Sequence, residues 1–247
     1  MSVKRFNVYV LLSLFFVALT ISSESVGPKI VDVKAVLPFL NYLPYYASRD
    51  LLMSAGVLMW PLVFITTDII NHYFGKRGVI QISYITAGLL IFTFSIYFVA
   101  SILPPAAFWL DVNRDVAVND INVAYNRIFM QSTKIIAGSV TAFLLGQLLD
   151  AYTYHWLRKF TNEKLIWFRA LASTFFSQLI DSYLVILIAF YFLGDWTMMQ
   201  IASVGTAQFI FKIMVAIVLT PLLYLVHYVI DLYLGKDIDV DFINFKK

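Results

Sequence analysis

The sequence predicts an all-α integral membrane protein with six transmembrane helices, and three observations carry that expectation. Of the 247 residues, 61% are apolar and only 13% are charged, whereas a soluble domain is about a quarter charged. The mean hydropathy of +0.80 leaves too little polar surface to cover a water-soluble fold. Six stretches are apolar over about the 20 residues that a helix needs to cross a bilayer core roughly 30 Å thick. They fall at about 6–23, 51–74, 79–103, 127–156, 168–193 and 199–234, and residues 1–247 read as a single transmembrane domain.

Each element has its own justification. The first helix follows "MSVKR" and runs into "ISSES", a pattern shared with secretory signal peptides. No A-x-A site follows, and Glu24 stands beside the small residues, so the segment reads as a retained helix. Residues 24–50 are interrupted by Pro38 and Pro44 and read as a loop or re-entrant piece at the membrane surface. Helices 2 and 3 are joined by the tight, basic "FGKRG". Residues 104–126 carry Asp111, Asp115 and Asp120 and read as an interfacial loop. Short links join the last three helices.

The basic residues orient the chain. With an internal N-terminus, the inner segments hold Lys4, Arg5, Lys76, Arg77, Arg158, Lys159, Lys164, Lys236, Lys246 and Lys247. The outer loops hold Lys29, Lys34, Arg49 and Arg114. This bias places both termini in the cytoplasm of a bacterial inner membrane. Trp60, Trp109, Trp156, Trp167 and Trp196 fall near the expected interfaces and read as an aromatic belt.

Several functions lose ground at once. There is no cysteine, hence no thiolate nucleophile and no Cys-based metal site. His72, His155 and His227 are scattered, and Walker A, G-x-S-x-G and H-E-x-x-H motifs are missing. No enzyme activity, cofactor or metal is expected. No run of basic residues exceeds two, so no nucleic-acid partner is expected either. The surrounding partner is membrane lipid.

Five charges nevertheless sit inside the spans: Asp68, Lys134, Asp150, Asp181 and Lys212. A charge at the centre of a span costs about 2.5–3.5 kcal/mol on insertion scales, so these groups must face one another or a wet cavity. Helical spacing gathers them into stripes. Asp68 joins Thr67, Asn71 and His72; Gln147 joins Asp150, Gln178 joins Asp181, and Gln208 joins Lys212. The stretches "GQLLDAY" (146–152) and "SQLIDSY" (177–183) spell nearly the same pattern on successive helices. Such pairs serve either as hydrogen-bonded glue between helices or as ligand contacts. Carboxylates, lysines and amides together suit the edge of a flat polar molecule such as a nucleobase, with Tyr152, Tyr183, Phe175 and Phe211 as stacking faces. The same chemistry admits another small zwitterion or a vitamin.

Four blocks then carry a resemblance. "WPLVFITTDIINHYFGKRG" (60–78), "FLLGQLLDAYTYHWLR" (143–158), "STFFSQLIDSYLVILIAFY" (173–191) and "FIFKIMVAIVLTPL" (209–222) resemble the queuosine precursor transporter family, also called the vitamin uptake transporter family. The likeness runs from about residue 5 to 234. It implies import of 7-deazaguanines, chiefly 7-cyano-7-deazaguanine with the 7-aminomethyl compound beside it. It also implies a fold resembling the substrate-binding subunit of energy-coupling-factor transporters, acting as a homodimer without an ATPase module. The alternative is a true subunit of such a vitamin transporter. The family's substrate-binding positions fall on Asp68, Gln147, Asp150, Gln178, Asp181 and Lys212, with Lys134 where the family usually has Arg. Lysine keeps that charge and loses the planar fork. Gln178 and Asp181 are expected at the ligand, and Gln147 and Asp150 at its inner wall or gate.

Overall fold

In lipid no water satisfies the backbone, so long apolar runs close their own hydrogen bonds as helices. The computed structural model describes residues 2–36, 38, 42, 52–112, 120–130, 133–161, 166–192 and 196–235. Pro44, Arg49, Arg114, Asp115, Lys164, Lys236, Lys246 and Lys247 lie outside these, as do the side chains of Lys134, Arg158, Trp167, Ser173 and Thr174.

The first helix, α1, spans Val3–Val26 and is capped by Ser2, whose Oγ accepts from the Arg5 amide. Strand β1 (Ile30–Asp32) follows, then one helical turn, α2 (Val33–Val36). Strand β2 (Leu52–Ser54) pairs antiparallel with β1, Val31 facing Met53. This small β pair is a departure from the purely helical expectation. A tight turn (Ala55–Leu58) leads into α3 (Trp60–Ile102). That helix begins at Trp60 rather than near 51, with Pro61 in the first turn, where its missing N–H costs nothing. Two short helices, α4 (Ala107–Val112) and α5 (Ile121–Phe129), lie over the segment read as an interfacial loop, and α5 runs past 126 into the stretch expected to open the fourth span, whose helix begins instead at Thr133. Then come α6 (Thr133–Thr161), α7 (Ile166–Ile186) with a wider π-turn over Leu187–Phe192, α8 (Met198–Val218) and α9 (Thr220–Leu234). One helix was expected over 199–234. It breaks at Leu219 because Pro221 has no amide to continue the ladder.

Among the described residues, α1, α3 and α8 are each long and apolar enough to cross a membrane. At 43 residues α3 would be about 65 Å long if straight, twice the bilayer core. It is not straight. Gly75 adopts φ 69° and ψ 178°, a conformation that glycine takes without a Cβ penalty. Contacts with α1 show the reversal. Arg5 Nη2 donates to the Tyr73 carbonyl (2.8 Å) and Ser23 Oγ to the Gly56 carbonyl (2.8 Å), so the chain over 56–73 runs antiparallel to α1. Tyr9 Oη donates to the Gly78 carbonyl (3.1 Å) and Ser25 Oγ meets Tyr97 Oη (2.9 Å), so the second arm runs parallel to it. The "FGKRG" turn is therefore a hairpin between two antiparallel arms.

The first arm is the centre of the molecule. Every residue from Val63 to Asn71 is buried, as expected of a helix surrounded by others. Phe16, Phe64, Phe143, Ile70 and Leu90 form the apolar core around it. The periphery is apolar too: Leu11, Leu14, Phe92, Ile96, Ile217 and Leu225 are all exposed. Apolar exposure on this scale marks a surface covered by lipid.

Candidate functional site

At the end of the bundle where α1 terminates, the helices part around a cavity of about 410 Å³. Three helix segments bring charge to it: α1 contributes Glu24, α7 contributes Asp181, and α8 contributes Lys212 beside the neutral Gln208 amide. Trp60 from α3, Ser139 from α6 and Trp196 complete the polar and aromatic wall. The β pair supplies the rim through Ile30, Met53 and Ser54. Val33, Met53 and Val57 pack there with Phe211 as a small separate apolar cluster.

The charges are organised by short contacts. Lys212 Nζ donates to Asp181 Oδ2, and both side chains are 3% exposed. The ammonium also lies over the Trp60 ring, 5.5 Å from its centroid, a cation–π position. Pairing is what makes these charges tolerable: removing one partner of a buried pair costs about 3–5 kcal/mol. Glu24 Oε2 accepts from Ser139 Oγ at 2.5 Å, which ties α1 to α6 across the cavity wall. The backbone makes room for this geometry. A Cβ on Gly146 would stand 3.6 Å from Asp181 Cβ, so α6 and α7 are in contact there.

The other expected site residues form layers beneath the cavity. Asp68 is two turns along α3 from Trp60, about 12 Å deeper, and is buried. Thr67 Oγ1 donates to Gln147 Oε1 (2.8 Å), and Ser177 Oγ donates to Asp150 Oδ1 (3.2 Å). Gln178 lies one turn deeper than Asp181 and is 1% exposed. Gln147 Nε2 and Gln178 Oε1 are buried with no hydrogen-bond partner among the described residues. Each amide can therefore take one more partner, water or ligand. The structure thus brings Asp181 and Lys212 to the cavity wall and stacks Asp68, Gln147, Asp150 and Gln178 below. The side chain of Lys134, on the first turn of α6, lies outside the described set.

A third layer closes the far end. Asn71 Nδ2 donates to the Ala151 carbonyl (3.3 Å), and Tyr73 Oη donates to Asp231 Oδ1 (2.6 Å). His227 Nδ1 is 3.0 Å from the same hydroxyl, and its ring stands edge-on to His72 at 4.7 Å. His227 is only 5% exposed. The network pins α9 to the hairpin of α3.

Three functional candidates escaped the sequence reading. Glu24 entered only as an argument about signal cleavage, and Trp60 and Trp196 entered as belt residues. All three line the cavity. A carboxylate near the end of an apolar helix is too ordinary to single out, and the partner that distinguishes Glu24, Ser139, is 115 residues away.

An apolar helical bundle with a cavity at one end, its largely apolar wall carrying a few charged groups above stacked polar layers, fits a membrane transport protein. Residues 54–226 match the family described as "Putative vitamin uptake transporter". The match covers more than half of the chain, and the chain belongs to that family. It is also similar to a "Probable queuosine precursor transporter" of Bacillus subtilis (strain 168), with 27% identity over 175 residues, 69% of this chain and 70% of the relative. No solved structure matches.

Proposed function

We propose that this chain imports 7-deazaguanine precursors of queuosine across a bacterial inner membrane, the 7-cyano and 7-aminomethyl compounds being the candidate cargo. The observation that carries this reading is the cavity. Its volume of about 410 Å³ falls within the range of small-molecule sites, about 300–1,000 Å³. It is lined by carboxylates at Glu24 and Asp181, an ammonium at Lys212, an amide at Gln208 and an indole at Trp60. A guanine-like edge presents N–H donors beside a carbonyl acceptor, which such a set complements. The relative's name, a queuosine precursor transporter, points to the same chemistry.

In this reading the chain crosses the membrane six times, with α1, the two arms of α3, α6, α7, and α8 with α9 as the crossings. Both termini are cytoplasmic, and the cavity opens outward. The protein works as a homodimer without an ATPase partner. Cargo enters against Asp181 and Lys212 and leaves inward past Asp150, Gln178 and Gln147, the spare amide atoms of the two glutamines offering successive contacts. Ser177 and Asp150 join α7 to α6 below the cavity, and cargo passing between these helices would require that pair to shift.

The test is a bacterial strain that cannot synthesise queuosine, given this gene and a low external concentration of 7-cyano- or 7-aminomethyl-7-deazaguanine. Queuosine should reappear in tRNA. A membrane-inserted protein that restores none with either precursor would sink the proposal.

A further inference from the structure

The cavity face of α8 carries Val204, Gln208 and Lys212, successive residues about one turn apart. Lys212 is committed to Asp181 and lies over the Trp60 ring. Gln208 differs from it: among the described residues its half-buried amide has no hydrogen-bond partner. It stands about 6 Å along the axis from Lys212, toward the start of α8. Side chains at i and i+4 are neighbours on a helix surface, their Cβ atoms about 5–6 Å apart. The ammonium has three N–H donors and gives one to Asp181. A spare cationic donor and an unpartnered amide therefore stand side by side on one wall. Asp181 and Lys212 neutralise one another, so their pair adds no net charge there.

We infer that Gln208 meets the 7-substituent of the cargo, and that its neutral amide lets one site hold both the nitrile and the aminomethyl compound. This rests on the 7-deazaguanine reading above and deepens it. Gln208 is not among the substrate-binding positions that the family resemblance implies. On the bicyclic ring the carbonyl and the 7-substituent project side by side from one edge. Lys212 takes the carbonyl, and its neighbour Gln208 then faces the substituent. A nitrile only accepts a hydrogen bond, whereas an aminomethyl group is an ammonium at neutral pH and only donates. A primary amide carries an acceptor and two donors, and its terminal torsion turns broadly, so either end can be presented. A carboxylate in its place would serve only the ammonium, and a thioether would serve neither well. Gln208 thus sets the breadth of the site.

The measurement uses the full-length protein in lipid nanodiscs and follows tryptophan emission, since Trp60 and Trp196 line the cavity. Three ligands are compared: 7-cyano-7-deazaguanine, 7-aminomethyl-7-deazaguanine and 7-deazaguanine with hydrogen at position 7. The native protein should bind each substituted compound about threefold or more tighter than the unsubstituted one, the advantage of one hydrogen bond. Gln208→Met should remove that advantage for both. Gln208→Glu should shift the ratio of the two substituted compounds about tenfold or more toward the aminomethyl one, as expected of a charge-assisted pair. Equal weakening of all three ligands by Gln208→Met would make Gln208 a structural residue and overturn the inference. So would an unchanged ratio in Gln208→Glu, or no advantage of the substituted compounds in the native protein. Failure of the native protein to bind any of the three overturns the transport reading itself, and this inference with it.

Discussion

The Asp181–Lys212 contact shows how a single pair makes charge admissible in a membrane interior. Each group alone would cost several kcal/mol in lipid, whereas together they cancel, and Trp60 shares the ammonium. Asp181→Asn and Lys212→Met should therefore each lower stability by about 3–5 kcal/mol. The double variant should lose less than the sum, by about 0.5–3 kcal/mol of coupling. Reversible unfolding in detergent–lipid micelles, run as a double-mutant cycle, reads this directly; additive losses would show that the contact contributes nothing. These two residues were legible in the sequence because an intramembrane charge is conspicuous. Glu24 was not, because it lies at a helix end where a carboxylate is ordinary. Only its approach to Ser139 sets it apart.

Helices in lipid gain little from the hydrophobic effect when they associate, so close backbone approach decides how they pack. Gly56 is the tightest case: a Cβ there would stand 2.4 Å from the Ser23 carbonyl oxygen, which Ser23 Oγ and the Gly56 carbonyl already bring close. Gly56→Ala should force α1 away from the turn before α3, at a cost of about 1–3 kcal/mol. Gly88, on the second arm of α3, meets nothing within 4 Å. Gly88→Ala should be neutral or stabilising by about 0.5–1 kcal/mol, through helix propensity alone. Thermal unfolding of the two variants, compared side by side, checks the contrast, and equal shifts would contradict the packing described. Both glycines look alike as letters, and neither sequence neighbourhood distinguishes them. The turn at Gly75, by contrast, was legible from "FGKRG", since short basic links between apolar runs are a local signal.

At the scale of the whole molecule, the chain is polarised from end to end. The cavity occupies one end, polar layers fill the middle, and the Arg5, Tyr73, His227 and Asp231 contacts close the other. The orientation can be read chemically because the native chain has no cysteine. Pro28→Cys, at the cavity rim, should react with a membrane-impermeant maleimide added outside intact cells, and 7-deazaguanine should slow that reaction. Arg77→Cys, beside the hairpin, should react only after the cells are opened. The reverse pattern would invert the topology. From the sequence come the membrane class, the approximate helices, the hairpin at "FGKRG" and the need for Asp68, Lys134, Asp150, Asp181 and Lys212 to face one another or a wet cavity. Those follow from composition, period and the cost of charge in lipid, all of which act locally along the chain. The tertiary structure alone decided which polar groups line the cavity and which lie beneath it. It moved Glu24, Trp60 and Trp196 into the wall and tied the end of the last helix to Tyr73. Depth and facing depend on how helices distant in sequence rotate and seat against one another. No spacing within one helix records that.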